Sequence, residues 1–254
     1  MSIFLKEKLN IILSPYAKRL TISKELKKGE AAARNKGISL ARGEIVACID
    51  QDCVADRNWL SSMARSFEPE NVMVVAGEIK AHKPKTEVEV YYEELMGQKK
   101  NLSFNHPFFI TANVAFRKTI FEKAGLFDNE FSSIEDVEFS FRLQDMGYGI
   151  KYEPGALVRH KNIKTKSQLF KKIFFRSFYI PKVMKKHLRF LKRKGKLQKI
   201  NTYHYKMLMK NIFRTIVRKH NEESGRKALL NTIFLSARKL GLLCGSVRHG
   251  FLYV

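Results

Sequence analysis

Two aspartates separated by one residue, Asp50 and Asp52, close a short apolar run from Glu44 to Ile49. On an extended segment, side chains two apart face the same way. Two carboxylates at a strand's carboxyl end could hold one hard divalent cation, with diphosphate oxygens filling its remaining positions. Ligands of open α/β sheets bind at that edge. A loop that happens to contain two aspartates reads the same way. A second acidic run, Ser133-Ile134-Glu135-Asp136, stands at the mouth of a helix read over 137–146. A carboxylate there gains about 0.3–1 kcal/mol from the helix dipole, so capping accounts for one acid. It accounts less well for Glu135, Asp136 and Glu138 together, and a general base taking a proton from an acceptor hydroxyl is the chemical reading.

Positioning these acids requires a particular set of elements. Residues 3–20 read as a short amphipathic helix. Residues 29–42 are alanine-rich and lead to Gly43, a helix with a glycine stop. Residues 44–49 form a buried strand, and Asp56 can cap a helix over 58–67. Further strands are read at 72–79, with Gly77 inside, and at 110–116. Helices follow at 118–124 and 137–146, stopped by Gly125 and Gly147, and short strands at 148–152 and 156–159. Helices alternating with short apolar strands predict an α/β layer fold with a mostly parallel sheet.

The segment KGEAAARNKGISLARGEIVACIDQD, residues 28–52, resembles the core of the family-2 glycosyltransferases. Their pattern runs kG-x-x-x-ARN-x-G-x-x-x-A-x-G-x-x-h-x-x-h-D-x-D, with h hydrophobic. ITANVAFRKTIFEKAGLFDNEF, EDVEFSFRLQDMGY and YEPGALVRH then stand in that family's order and spacing. The resemblance covers roughly residues 25–165. It implies a GT-A-like, Rossmann-like sheet flanked by helices, and inverting transfer from a nucleoside-diphosphate sugar by single displacement. Asp136 would be the catalytic base, with Glu135 beside it orienting the acceptor. Arg34, Asp50, Asp52 and Asn113 would bind the nucleotide sugar, and Asp52, Asp50 and His160 would hold Mg²⁺ or Mn²⁺. A UDP-sugar is the foremost donor, and the acceptor is a cell-surface glycan or a lipid-linked sugar. The family's opening strands, which build the nucleotide-base pocket, are not visible before Gly29. The chain is therefore expected to be truncated at its N-terminus, and an inactive homologue binding a membrane or a protein is the alternative function.

Charge divides the chain. Residues 1–160 carry 23 Lys/Arg against 22 Asp/Glu, whereas residues 161–254 carry 25 against 2, so nearly all the net +24 lies in the last third. Two parts are expected, a glycosyltransferase domain over 1–164 and a basic amphipathic helical region over 165–254. Apolar stripes recur at helical spacing at 169–178, 205–216 and 229–240, and Pro181 should kink or end the first. Such a region suits a solvated bundle packed on the domain, or in-plane binding to an anionic membrane face. Nucleic acid is not expected, because no known binding motif accompanies the charge. No continuous apolar run approaches the roughly 18–20 residues of a spanning helix. Cys48, Cys53 and Cys244 read as reduced thiols, and the expected location is cytoplasmic, peripheral on the cytoplasmic membrane face.

Overall fold

A computed structural model describes residues 21–131, 133–193, 206–212 and 222–253. The helix expected over 3–20 and half of the apolar stripe at 205–216, namely Tyr205, Phe213 and Ile216, lie outside the described residues.

Five strands form one sheet in the order β1-β4-β3-β5-β2. They are β1 (Ile45–Ile49), β2 (Cys53–Ala55), β3 (Val74–Ala81), β4 (Asn113–Arg117) and β5 (Lys151–His160). β4 runs antiparallel to both β1 and β3, β2 runs antiparallel to β5, and β3 pairs with β5 in parallel. The sheet is thus mixed, not mostly parallel as expected. The reason is burial: β4 is covered on both faces, and a strand so covered reads as a continuous apolar run whichever way it points. The stretch 148–159 also differs from expectation, being one strand, β5, and not two.

Alternation along the central strands builds two cores. Val74 and Ala76 of β3 and Val114 and Phe116 of β4 face a cluster with Phe109, Phe127 and Phe139. Val75 and Ala115 face the other way, onto Trp59, Met63 and Phe67. Gly77 has no room for a side chain, because a Cβ there would overlap the Ala156 carbonyl and the Asn113 amide.

Helices flank the sheet: α1 (Glu30–Leu40), α2 (Trp59–Arg65), α3 (Glu87–Met96), α4 (Gln98–Leu102), α5 (Thr119–Ala124) and α6 (Glu135–Asp145). Gly125 (φ 76°) and Gly147 (φ 87°) terminate α5 and α6 in the left-handed region. The N-terminus of α3 is set by a capping box, Thr86 with Glu89.

The basic region forms α7 (Lys166–Lys186), α8 (Leu188–Arg193) and α9 (Glu222–His249). A second capping box, Thr165 with Gln168, starts α7. Pro181 neither ends nor divides α7, which continues to Lys186. α9 lies against α7 at very short range, since a Cβ on Gly241 or Gly245 would overlap the backbone of Phe174 or Phe178. By length and composition, Gly225–His249 is apolar enough to cross a membrane (mean hydropathy 1.2). The helices share cores with the sheet domain. Leu169, Ile173, Leu230 and Ala237 pack on Val88, Tyr91 and Tyr92 of α3. Val183, Phe190 and Leu191 pack on Phe131, Ile134, Val137 and Phe141.

Candidate active site

A cavity of about 1000 Å³ opens beside the carboxyl end of β1. Asp50 and Asp52 line one part of it, Asp136 another, with Arg34, His160 and Arg176 between or beside them. The buried Tyr92 phenol registers the clustering. Burial raises its pKa, and the charges of Arg176, Asp136, Glu30 and Asp52 all reach it.

The Asp50-x-Asp52 pair does not act as a single clamp. β1 ends at Ile49, and the chain turns at once, the Cys53 N–H donating to the Asp50 carbonyl at 3.0 Å. The same-face alternation of an extended strand is therefore lost. Asp50 Oδ1 accepts from Arg34 Nη2 at 2.9 Å, while Asp52 Oδ1 lies 3.5 Å from His160 Nε2. Antiparallel pairing brings these last two together, Cys53 opposite His160, with the Lys161 N–H donating to the Asp52 carbonyl at 2.9 Å.

Asp52, Cys53 and His160 each present a ligand atom within 4.8 Å of the others. The Cys53 thiol is pushed up to about 12 by burial, with Asp50 and Asp52 adding to the shift, so it stays protonated. A hard cation would thus find Asp52 oxygen and His160 nitrogen. The imidazole is oriented for this. Asn162 donates through Nδ2 to the Glu89 carbonyl at 2.9 Å, so its Oδ1 is the atom 2.9 Å from His160 Nδ1. Nδ1 therefore donates to Asn162, and Nε2 is the ring nitrogen turned to Asp52.

Glu135 and Asp136 begin α6, side by side and both buried. Arg34 Nη1 donates to Glu135 Oε1, and the same guanidinium holds Asp50. Even so, burial, with Asp136 adding to it, pushes the Glu135 carboxyl up to about 7. Asp136 is raised as well, chiefly by burial and against the opposing pull of Arg176 and Arg34. Asp136 Oδ1 accepts from the Val137 N–H at 2.8 Å, and its Oδ2 lies 3.9 Å from Arg176 Nη2. Glu138 has a different fate. It is fully buried, held by Arg142, Lys186 and His187, and lowered to about 2 by those hydrogen bonds despite its burial.

Asn113, expected among the residues binding the nucleotide sugar, lies instead behind the cavity wall. Its Oδ1 accepts from Trp59 Nε1 at 2.8 Å, and its Nδ2 donates to the Glu78 and Ala156 carbonyls at 2.8 and 2.7 Å. Its amide oxygen and its amide nitrogen are both engaged in packing the sheet. Sequence reasoning missed Arg176 and Lys172 of α7, which line the cavity, and Asn162 behind His160. Nothing in their spacing separates Lys172 and Arg176 from the other cations of that helix.

Residues 8–125 match the family model described as glycosyl transferase family 2. Over these residues, a little under half of the chain, the sequence is similar to glycosyltransferase family 2. It is 32% identical over 160 residues to the pre-mycofactocin glycosyltransferase of Mycobacterium tuberculosis, covering 60% of this chain and 33% of that protein. Glycosyltransferase AglE of Haloferax volcanii is 29% identical over 134 residues, 52% of this chain and 44% of that protein. The O-antigen chain rhamnosyltransferase WbaN of Salmonella anatum is 26% identical over 175 residues, 64% of this chain and 56% of that protein. The chain thus spans from a third to just over half of the length of these relatives. The structure of the mannosyltransferase PcManGT from Pyrobaculum calidifontis superposes with a TM-score of 0.60 at 15% identity, covering 98% of this chain and 74% of that one. The fold is therefore GT-A-like, basic helices included, because the match runs past the sheet domain to nearly the whole chain.

Proposed function

We propose that this family-2-like domain transfers a sugar, with inversion, from a nucleoside-diphosphate sugar to a hydroxyl of a glycan or lipid-linked acceptor. The observation that carries the reading is the single cavity shared by the Asp52–His160 pair and Asp136. Arg34, Asp50 and Asp52 are the residues assigned to the donor, and Asp136 to the acceptor. The solved mannosyltransferase of similar fold was captured with GDP-mannose and Mn²⁺, which supports a nucleotide-sugar donor and a divalent cation here.

The proposed displacement balances without a covalent intermediate. The acceptor O–H bond breaks and its proton passes to the Asp136 carboxylate. The acceptor oxygen forms a bond to the anomeric carbon from the opposite face. The bond from that carbon to the diphosphate breaks, and its electron pair leaves with the nucleoside diphosphate. A Mg²⁺ or Mn²⁺ ion bound by Asp52 and His160 would supply Lewis-acid stabilisation of the departing charge. Burial, which raises Asp136, makes it a stronger proton acceptor once ionised. Arg34 fixes the wall, holding Asp50 and Glu135 together between the donor and acceptor sides.

Attachment at the cytoplasmic face of an anionic membrane, through the basic helices, completes the proposal. Calorimetry with a panel of UDP- and GDP-sugars tests the core of it, with and without chelator, on the wild type and Asp52→Ala. Binding that needs the cation and is lost in the variant is expected. Metal-independent binding of equal strength in both proteins would overturn the metal assignment, and no binding of any donor would favour the inactive-homologue reading.

A further inference from the structure

Arg176 is a cation of the cavity to which the roles given so far assign nothing. It rises from α7 with its side chain 15% exposed, and it lines the cavity wall beside Asp136. Among the described residues its guanidinium makes no hydrogen bond, and its nearest carboxylate oxygen, on Asp136, is 3.9 Å away. That separation is too long for a hydrogen bond. Arg34, on the opposite helix, shows what a satisfied arginine looks like at the same cavity: it engages Glu135, Asp50 and Glu30. A guanidinium removed from water with its planar fork of donors unspent is costly unless an anion completes it. Lys172, one helical turn earlier on α7, lines the same cavity and is exposed to it.

We propose that Lys172 and Arg176 form a phosphate-binding subsite on the acceptor side, so that the acceptor bears a phosphate group beside its reacting hydroxyl. The inference rests on the proposed transfer reaction, because it takes the acceptor side from the position of Asp136. Arg176 adjoins that residue, whereas the Asp52–His160 pair meant for the donor's diphosphate lies where the turn before β2 meets the end of β5. A phosphate held by the guanidinium would bring a neighbouring hydroxyl towards the Asp136 carboxylate. It would also complete the hydrogen bonding that Arg176 lacks.

The full chain decides this by titration in metal-free buffer with glycerol 3-phosphate, a soluble hydroxyl-bearing phosphate monoester, and with octyl phosphate, a lipid-like one. Glycerol is the uncharged control. A parallel titration with UDP and GDP in Mn²⁺ reports the donor site. Both phosphates are expected to bind and glycerol not to. Arg176→Gln and Lys172→Gln should each weaken phosphate binding by about tenfold or more, the scale on which a charged hydrogen bond is lost. Nucleoside diphosphate affinity should stay unchanged, and Arg176→Lys should retain part of the phosphate affinity. Tighter octyl phosphate assigns a lipid-linked acceptor, and equal affinities assign a soluble one. Should Arg176→Gln fail to fold, Lys172→Gln, a change at an exposed position, still answers the question. Equal loss of nucleoside diphosphate binding in the variants would reassign both cations to the donor and overturn the inference. So would phosphate binding that is absent, or unchanged in both variants. A wild type that binds the phosphates but no nucleoside diphosphate would sink the transferase reading while leaving the subsite standing.

Discussion

Asp136 sits where two effects oppose each other, burial favouring its neutral form and the guanidinium groups of Arg34 and Arg176 favouring its charge, and burial prevails. The proposed base works only when ionised. Transfer is therefore expected to fall as pH drops through a value above the ordinary carboxylate range, with Glu135, near 7, titrating beside it. Asp136→Asn should lower the transfer rate by about 10²–10⁴-fold and remove this acid limb, with donor affinity unchanged. A pH–rate profile of both proteins is the measurement; an unchanged rate in the variant would pass the role to another group. That group would not be Glu138, whose carboxylate is committed to Arg142, Lys186 and His187. On the opposite wall, Asn162→Ala should weaken Mn²⁺ binding by about 10–100-fold by releasing the His160 ring, as a competition titration would read. The acids and His160 were legible because they stand in a recognisable order. Asn113 was misplaced because a strand-end asparagine facing a ligand and one pinned by Trp59 look alike in sequence, and that partner is 54 residues away. Asn162 was illegible for the same kind of reason, its role depending on the Glu89 carbonyl across the fold.

At the scale of elements, Glu138 fastens α6 to the basic helices. Its Oε1 lies 2.9 Å from Lys186 Nζ and 3.2 Å from His187 Nε2, and its Oε2 lies 2.6 Å from Arg142 Nη2. Lys186 also reaches Asp128 at 2.7 Å. The Glu138 carboxyl, at about 2 when folded against an ordinary 4.5, binds fewer protons in the folded state between those values. Its stabilisation is thus complete above about 4.5 and is lost as pH falls towards 2. It amounts to a value on the order of 3 kcal/mol. Glu138→Gln should lower the urea midpoint at pH 7, with the difference from wild type shrinking as the pH is lowered through that window. A constant difference would mean that charge is not what Glu138 contributes. Glycine stops made α5 and α6 readable, since a left-handed terminus needs one. α3 went unread although Thr86 and Glu89 carry its capping box, because its apolar positions do not stand out from the acids between them. Strand direction left no trace either, since a doubly covered antiparallel strand carries no polar face to reveal it.

For the molecule as a whole, the charge changes sharply after residue 160, and the basic helices α7, α8 and α9 pack on the first part and complete two of its cores. A chain ending near Lys164 would uncover Tyr91, Tyr92, Phe131, Ile134 and Phe141 and take Lys186 and His187 from Glu138. It should lose cooperative thermal unfolding, which circular dichroism would record; a sharp transition would show that the first part folds alone. The apolar stripe of Phe170, Phe174 and Phe178, which suited either packing on the domain or a membrane face, is spent within the protein. Phe170 and Phe174 pack on the α3 cluster, and the Phe178 ring centroid lies 5.2 Å from that of His249. A different apolar face is exposed: Leu240, Leu243 and Val247 recur at helical spacing on α9, Val247 80% exposed. Leu252 beyond α9 and Phe175 on α7 are exposed as well. Each Lys or Arg near an anionic surface contributes up to about 1 kcal/mol, screened over roughly 8–10 Å at physiological salt. A handful of the 25 cations past residue 160, together with those apolar side chains, would hold the protein in the plane of such a surface. The full chain should therefore co-sediment with phosphatidylglycerol vesicles, less so as salt rises, and weakly or not at all with phosphatidylcholine. Replacing Leu243 and Val247 together by glutamate should reduce the bound fraction without changing the unfolding midpoint, because neither side chain is buried. Binding indifferent to both salt and these substitutions, or none at all, would leave α7–α9 with the task of closing the cores and the cavity wall.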